Sequence, residues 1–262
     1  MSAAQSLSQS LSILLFYDCL YPRSVGGVEH RNHELARALA ARGHRVTLAG
    51  FAGAPESPAP GVEVVPVGRP GRLYSEAGKR STWAALRLAV GAWRIDLRPF
   101  DVVESANIPY SQLPVLAWRC RRLGRPLVVT WHEHWGRYWL RYLGWKGALY
   151  AAFERLTVPL GTRAVAVSAL TAGRVKARRG TEVPVVPNGI PLAAIRESAE
   201  KGAGEPGPPL VYAGRLLREK RVDLLLEAVA RLAPGHPGPL LAVLGDGPDR
   251  GRLEEIAGRL GL

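Results

Sequence analysis

Residues 12–49 read SILLFYDCLYPRSVGGVEHRNHELARALAARGHRVTLA, and this stretch decides the fold class. A short apolar run rich in strand-forming residues, 12–17, leads into a glycine turn and then into an amphipathic helical pattern over residues 27–41. Gly43 is placed to end that helix, and residues 44–49 form a second apolar run. The stretch therefore predicts a strand, a covering helix and a second, parallel strand.

The same alternation continues along the chain. Further strands are predicted at residues 62–67, 101–104, 126–131, 164–168 and 183–186, and further helices at residues 81–93, 111–123, 145–157 and 169–178. Strands that alternate with helices predict a parallel sheet covered on both faces. Right-handed crossovers then place the carboxyl ends of the strands along one edge, where ligands of open α/β sheets bind.

The alternation breaks at residues 188–208, a polar segment rich in glycine and proline that predicts a linker between domains. We therefore place an N-terminal Rossmann-like domain at residues 1–187 and the start of a second domain at residues 209–262. The second pattern consists of strands at 210–213 and 240–244 and helices at 222–232 and 248–260. Two strand-helix units bury too little apolar surface for a covered sheet, so we expect this domain to be incomplete or to be completed by a partner.

Composition narrows the class of function. The chain has 262 residues, 47% of them apolar, and a formal net charge of +13. A basic surface suits nucleic acid, an anionic membrane or a phosphorylated ligand. No nucleic-acid-binding motif accompanies it, which disfavours nucleic acid, and no apolar run reaches the roughly 18 residues of a membrane span. The two cysteines, Cys19 and Cys120, lack metal-site spacing and favour a cytoplasmic protein.

Two segments are candidates for phosphate binding. Gly26 and Gly27 lie between the first strand and its helix, where glycine lets a phosphate approach the N–H groups of a helix N-terminus. The spacing differs from a dinucleotide fingerprint, which disfavours NAD, and an ordinary tight turn is the alternative. Arg215 and Lys220 lie between a strand and a helix and can converge on one diphosphate. Two solvated surface charges are the alternative for this pair.

His132 directly follows the predicted strand 126–131 and can reach a ligand at the sheet edge, where it would hydrogen-bond a sugar hydroxyl or a phosphate; a structural histidine is the alternative. Glu133 and His134 suggest a metal, but neighbours on an extended chain point to opposite sides and chelate poorly. We therefore predict no metal site. Residues 245–248, Gly-Asp-Gly-Pro, predict a strand-to-helix turn first and a ligand contact second.

Together these segments resemble the retaining glycosyltransferases of family 4, which have the GT-B fold of two Rossmann-like domains. The resemblance covers nearly the whole chain and rests on segments in the family's order: Gly26-Gly27-Val28-Glu29, His132 after a strand, Ala166-Val167-Ser168 before a helix, Val186-Pro187-Asn188-Gly189-Ile190, Tyr212-Ala213-Gly214-Arg215-Leu216 with Glu219-Lys220 and Asp223, and Gly245-Asp246-Gly247-Pro248. Arg221 departs from the pattern, because the family usually has glycine at this position.

The resemblance implies transfer of a sugar from a nucleotide-diphosphate sugar with retention of configuration, without a metal or another cofactor. Arg215 and Lys220 would hold the donor diphosphate and stabilise charge on the leaving group. Gly26 and Gly27 would admit the donor phosphate, and His132 would be the catalytic contact to the donor. Further donor or acceptor contacts are expected at Ser168, Asn188, Gly214, Gly245 and Gly247. A pair of glutamates that the family carries deeper in its second domain is expected beyond this sequence.

Two other functions stay open: a non-catalytic sugar-nucleotide-binding fragment, and a nucleotide-sugar epimerase of the GT-B fold. The acceptor is expected to be a glycan or a lipid-linked molecule. Outside the motifs, Trp135, Trp139 and Tyr142 share one helical stripe beside Arg137 and Arg141, a composition typical of a membrane interface. One expectation is that this stripe docks on anionic lipid at the inner face of the membrane or receives an acceptor. The alternative is that it packs on the cleft or the sheet as a lid.

Overall fold

The computed structural model describes residues 10–24, 26–51, 57–69, 71, 81–202, 207–235, 238 and 240–262. The chain forms two compact units: one reaches to Gly71 and continues over Thr82–Pro191, and the other includes Leu192–Leu262. Within the described residues, no helix combines the length and the apolarity needed to cross a bilayer.

The first unit is an α/β domain. Its strands are β1 Ser12–Cys19, β2 Arg45–Phe51, β3 Val62–Gly68, β4 Val102–Ala106, β5 Leu127–Trp131 and β6 Arg163–Ala166. Its helices are α1 Gly27–Ala40, α2 Thr82–Arg94, α3 Gln112–Leu123, α4 Tyr138–Leu143, α5 Gly147–Thr157 and α6 Ala169–Arg179, and a 3₁₀ turn, Gly144–Lys146, precedes α5. All neighbouring strands are parallel, in the order β3-β2-β1-β4-β5-β6. This is the order of a doubly wound Rossmann sheet and confirms the predicted fold class.

Right-handed crossovers determine which helices share a face of this sheet. Because the strand order runs outward from β1 in both directions, α1 lies on one face and α2, α3 and α5 lie on the other. On the first face, Ala36 of α1 packs against Ile13 and Leu15 of β1. On the second face, Trp93 of α2 stacks on Trp118 of α3 with ring centroids 5.3 Å apart.

The last predicted strand of this unit is wrong. Residues 183–186 form only an isolated bridge between Ala166 and Val185. Pro184 and Pro187 lie on either side of Val185, and proline has no N–H to donate to a strand ladder. The apolar run therefore makes one pair of contacts with β6 and does not extend the sheet.

Two helices have bounds that the sequence analysis did not give. α4 contains part of the predicted helical stripe and ends at Gly144, the first residue of the 3₁₀ turn, whose φ of 60° lies in the left-handed region. α7, Leu192–Lys201, lies inside the segment 188–208 that was predicted as a linker; residues 203–206 of that segment lie outside the described residues. No residue of α7 is buried.

The second unit contains α7, β7 Leu210–Ala213, α8 Val222–Leu232, β8 Leu241–Leu244 and α9 Arg250–Arg259, with a 3₁₀ turn at Arg218–Lys220. β7 and β8 pair in parallel. A small core of Leu216, Val222, Leu226 and Leu253 packs beneath them. The strands also expose Val211 and Leu244, each to 61%.

Candidate functional site

His132 lies at the carboxyl end of β5 and is held there by a side chain from the neighbouring strand. The His132 backbone N–H donates to Asn107 Oδ1 at 3.0 Å, and Asn107 Nδ2 donates to the Glu133 carbonyl at 3.0 Å. Asn107 follows β4 and is fully buried. One amide therefore fixes the point at which the chain leaves the sheet, which fixes the position of the imidazole.

The His132 imidazole is neutral near pH 7. Burial, followed by the charge of Arg31, lowers the pKa of His132 from 6.5 to about 4. Its Nε2 atom is buried and has no hydrogen-bond partner among the described residues. Leaving a buried polar atom unsatisfied costs about 1–3 kcal/mol, which a ligand hydroxyl or phosphate at this nitrogen would recover. The predicted hydrogen bond from His132 to a ligand is therefore compatible with this geometry.

A buried ion pair lies next to His132. Arg31 of α1 contacts Glu104 of β4, with Nη1 3.5 Å from Oε1, and the two side chains are 10% and 8% exposed. Burial raises the pKa of Glu104, and Arg31 acts against this. Arg31 also donates to Asn32 Oδ1 at 3.0 Å. These residues place a fixed positive charge near the imidazole, which disfavours its protonation.

The glycine turn contains two glycines with different surroundings. Gly26 is the N-cap of α1, and a Cβ atom there would meet the carboxylate of Glu29, which accepts from Ser24 Oγ at 2.9 Å. A carboxylate at this place complements the helix dipole that would otherwise attract a phosphate. Gly27 is exposed, and a Cβ atom there would meet nothing within 4 Å. Packing therefore does not require glycine at 27, and phosphate binding at this turn stays a prediction.

Glu154 of α5 holds the loop that follows His132. Its carboxylate is fully buried and accepts from the Trp135 N–H at 2.9 Å, the Gly136 N–H at 2.6 Å and the Tyr110 hydroxyl at 2.7 Å. Burial, followed by the Glu154 charge, raises the pKa of Tyr110 well above its usual range, so the phenol remains a donor. One buried carboxylate thus orders the segment from His132 to Gly136.

The stripe of Trp135, Trp139 and Tyr142 packs within the protein. The Trp135 ring lies 4.5 Å from Trp139 and 5.2 Å from Tyr142 between centroids, and Trp139 also stacks on Tyr150 at 5.2 Å. Trp139 is only 8% exposed. The expectation that this stripe faces lipid is therefore corrected in favour of its alternative, a lid packed on the domain.

A pocket of about 700 Å³ opens beside this lid. It is lined by residues 133–138, by Arg141 of α4, and by Leu170, Thr171 and Arg174 of α6. Arg174 is fixed in place because it donates to the His134 carbonyl at 3.0 Å. The pocket lining contains three guanidinium groups, those of residues 137, 141 and 174, and one carboxylate, that of residue 133. The pocket is therefore electropositive and of a size that accommodates small ligands.

Two other predicted contact residues also belong to the first unit. Ser168 is the N-cap of α6, and its Oγ accepts from the Thr171 N–H at 3.2 Å. The need for a cap explains a serine here without a ligand. Asn188 is exposed in the segment after the isolated bridge.

In the second unit, Arg215 follows β7 and Lys220 ends the 3₁₀ turn before α8. Both residues are exposed, and the Arg215 carbonyl accepts from the Tyr212 hydroxyl at 3.1 Å. Within the described part of the chain, no carboxylate forms an ion pair with Lys220. The loop thus presents two cations next to a helix N-terminus, an arrangement that suits a diphosphate.

The predicted glycines of the second unit pack two loops together. Gly214 N–H donates to the Leu244 carbonyl at 3.0 Å, and Leu216 N–H donates to the Asp246 carbonyl at 2.9 Å. A Cβ atom at Gly245 would overlap the Gly214 carbonyl oxygen, and one at Gly247 would overlap the Leu216 carbonyl oxygen. Glycine at 245 and 247 is therefore required by packing, which agrees with a turn first and a ligand contact second.

Arg221, the departure from the family pattern, adopts the backbone conformation that glycine favours. Its φ of 52° and ψ of 41° lie in the left-handed region. Its side chain donates to Asp223 Oδ1 at 3.1 Å, so the pair ties the turn to the start of α8. The turn is thus kept despite the missing glycine.

Comparison with known proteins decides the family. The model of glycosyltransferase family 4 matches residues 25–194, and the model of glycosyl transferases group 1 matches residues 195–262. The chain belongs to glycosyltransferase family 4. Its similar relatives include 2-deoxystreptamine N-acetyl-D-glucosaminyltransferase of Streptomyces fradiae, 30% identical over 91% of this chain, and glycogen synthase of Mycobacterium tuberculosis, 27% identical over 90%. The chain spans 63% and 62% of the lengths of these two relatives.

Solved structures show that this family 4 chain has the GT-B fold. Sucrose-phosphate synthase from Thermosynechococcus elongatus matches 96% of the chain and 68% of its own length, with a TM-score of 0.74 at 16% identity. Anabaena HepE in complex with UDP-glucose matches 96% of the chain and 66% of its own length, with a TM-score of 0.58 at 18% identity. At these identities the likeness concerns the fold alone.

Several residues around the family 4 site were missed by the sequence analysis. These are Arg31 of α1, Glu104 and Asn107 in and directly after β4, and Glu154 of α5, and their contacts with each other or with His132 and its loop join residues far apart in the sequence. One signal was available: Glu104 lies inside a short strand with Val102, Val103 and Ala106, and a glutamate that is buried has to be paired.

Proposed function

We propose that this chain carries the donor and acceptor residues of a glycosyltransferase that transfers a sugar from a nucleotide-diphosphate sugar to an acceptor, with retention of configuration. The observation that carries the proposal is the neutral His132, whose buried Nε2 lacks a partner among the described residues at the carboxyl edge of the sheet. Family membership supports sugar transfer, and the complex of Anabaena HepE with UDP-glucose supports a nucleotide sugar as the donor.

In this reaction the acceptor hydroxyl bonds to the anomeric carbon as the bond from that carbon to the diphosphate oxygen breaks. The nucleoside diphosphate leaves with the electron pair, and for attack on the same face it can take the hydroxyl proton. Arg215 and Lys220 would stabilise the charge that develops on this leaving group. His132 would hydrogen-bond the donor sugar or phosphate as a neutral group.

The pocket beside the lid is our candidate for the acceptor. Its three guanidinium groups favour an acceptor that carries negative charge, such as a phosphate-linked glycan or lipid. Trp135 and Tyr138 add aromatic surface of the kind on which sugars pack. The pocket is lined by the loop that follows His132, beginning at Glu133.

Donor binding is tested by titrating UDP, ADP and GDP into the wild type, Arg215→Ala, Lys220→Ala and the control Arg231→Ala. Arg231 is an exposed cation on α8 of the same unit. Loss of one charge-assisted hydrogen bond should weaken the preferred nucleotide by about tenfold or more, and the control should bind like the wild type. Equal affinity in all four proteins, or no binding of any nucleotide, contradicts the donor site.

An activity assay distinguishes sugar transfer from the two alternative functions, the epimerase and the binding fragment. Transfer that requires an acceptor and falls in His132→Ala, with nucleotide affinity retained, supports the proposed reaction. Release of an isomerised sugar nucleotide without an acceptor would instead favour the epimerase, and nucleotide binding with no chemistry would favour the binding fragment.

A further inference from the structure

The helix layer of the first unit formed by α2, α3 and α5 has an apolar outer surface. Four of the seven tryptophans of the chain are well exposed, and all four belong to this layer and the turn that precedes α5: Trp83, Trp93, Trp118 and Trp145, exposed to 76%, 57%, 47% and 77%. The other three belong to β5 and to the packed lid. Large exposed aromatic side chains grouped on one side of a domain mark an interaction surface.

The exposed apolar residues follow helical spacing. On α2 they are Trp83, Leu86, Val90 and Trp93, and along the turn and α5 they are Trp145, Leu149, Phe153 and Leu156. We refer to these eight residues and Trp118 as the tryptophan face. Its parts are joined, because Trp93 stacks on Trp118 at 5.3 Å and Thr82 Oγ1 lies 3.5 Å from the Tyr150 hydroxyl of α5.

The exposed charges on the helices α2, α3 and α5 are all basic. α2 and α3 contain no acidic residue, and the single acidic residue of α5, Glu154, is fully buried under the lid. Exposed basic residues on the same elements are Arg87, Arg94, Arg121, Arg122, Lys146 and Arg155. Two of them lie over tryptophan rings, Arg122 over Trp118 at 5.0 Å and Lys146 over Trp145 at 5.8 Å.

We propose that the tryptophan face docks on an anionic lipid bilayer. Tryptophan rings prefer the level of the lipid headgroups, and arginine and lysine beside them pair with lipid phosphates. An amphipathic surface of this kind lies in the membrane interface without crossing it. A second copy of the chain suits the face poorly, because two such faces would bring basic residues of both copies together with no carboxylate from these elements between them.

This docking surface is separate from the stripe of Trp135, Trp139 and Tyr142, whose rings pack against one another in the lid. It also does not depend on the proposed sugar transfer, since its test measures binding to vesicles only. Substitutions on this face should leave the fold intact, because the residues to be changed are exposed and contribute little to the core.

The test is co-sedimentation with phosphatidylglycerol-containing vesicles and with pure phosphatidylcholine vesicles. We compare the wild type, Trp83→Ala/Trp93→Ala/Trp145→Ala, and the control Leu224→Ala/Leu232→Ala, which removes exposed apolar residues from α8 of the other unit. The wild type and the control should bind the anionic vesicles, and the triple variant should lose about tenfold or more in partition coefficient. Brominated lipids should quench part of the tryptophan fluorescence of the wild type and less of the triple variant.

Two results overturn the proposal. If the triple variant sediments with anionic vesicles as well as the wild type, net charge alone explains the binding. If no protein binds vesicles and sedimentation velocity shows a wild-type dimer that the triple variant cannot form, the face belongs to a second copy.

Discussion

Acidification should destabilise the first unit through His132. In the unfolded chain the imidazole has a pKa of 6.5, whereas in the folded unit burial and Arg31 lower the pKa to about 4. Between these values the unfolded chain binds a proton that the folded unit does not bind. The stability is therefore complete above pH 6.5 and is lost as the pH falls toward 4.

The magnitude follows from the two pKa values. One unit of pKa difference corresponds to about 1.4 kcal/mol, so the difference between the unfolded and the folded pKa lowers the free energy of unfolding by about 3 kcal/mol once the pH is below both values. Because the loss accumulates gradually, it reaches about 2 kcal/mol at pH 5. A domain whose free energy of unfolding is about 5–15 kcal/mol would lose a measurable part of it to one imidazole.

The assay is urea unfolding followed by tryptophan fluorescence at pH 7 and pH 5. All seven tryptophans lie between residues 83 and 145, so the signal reports the first unit alone. We compare the wild type with His132→Gln, which cannot titrate in this range, and with the control His30→Gln, which keeps His132. Between the two pH values the wild type and the control should lose about 2 kcal/mol more than His132→Gln.

Parallel losses in all three proteins would refute the reasoning. A direct check is an NMR titration of the imidazole resonances of the folded protein. A His132 midpoint near pH 6.5 would show that neither burial nor Arg31 affects the ring.

Two further predictions concern the lid and the turn before α8. Glu154→Gln should lower the free energy of unfolding by about 2–3 kcal/mol, because a charged acceptor of three hydrogen bonds is lost. The exposed control Glu63→Gln should change the free energy of unfolding little in the same fluorescence assay. Equal stability of both variants would contradict the role of Glu154 in holding the loop. Arg221→Gly should be more stable than Arg221→Ala by about 1 kcal/mol in thermal unfolding followed by circular dichroism. Both variants lose the contact with Asp223, and only glycine adopts the left-handed conformation without strain. The reverse order of stability would show that the backbone at residue 221 is not strained.

Much of the fold follows from local patterns. β7 and α8 have the bounds that were predicted for them, and β1 begins at the predicted Ser12, because apolar runs and helical periodicity are local properties. The failures are also local in origin. Prolines next to Val185 break a run that otherwise has the composition of a strand, and α7 lies exposed, without a buried stripe.

The candidate site could be predicted from the sequence only in part. His132 is predictable because it follows a strand whose carboxyl end lies at the ligand edge. Its lowered pKa comes first from burial and then from Arg31, which belongs to α1 and is about 100 residues away, and its position depends on Asn107 from the end of β4. Contacts over such distances follow from strand order, which local spacing does not show.

The backbone contact between the loops at Gly214 and Gly245 has a mechanical consequence. Carbonyl oxygens occupy the space where side chains would stand, and two backbone hydrogen bonds join the loops. We therefore expect a nucleotide that displaces Arg215 to shift residues 245–247 as well. A spectroscopic probe at Asp246, which is exposed, would sense a ligand bound at the other loop without touching it.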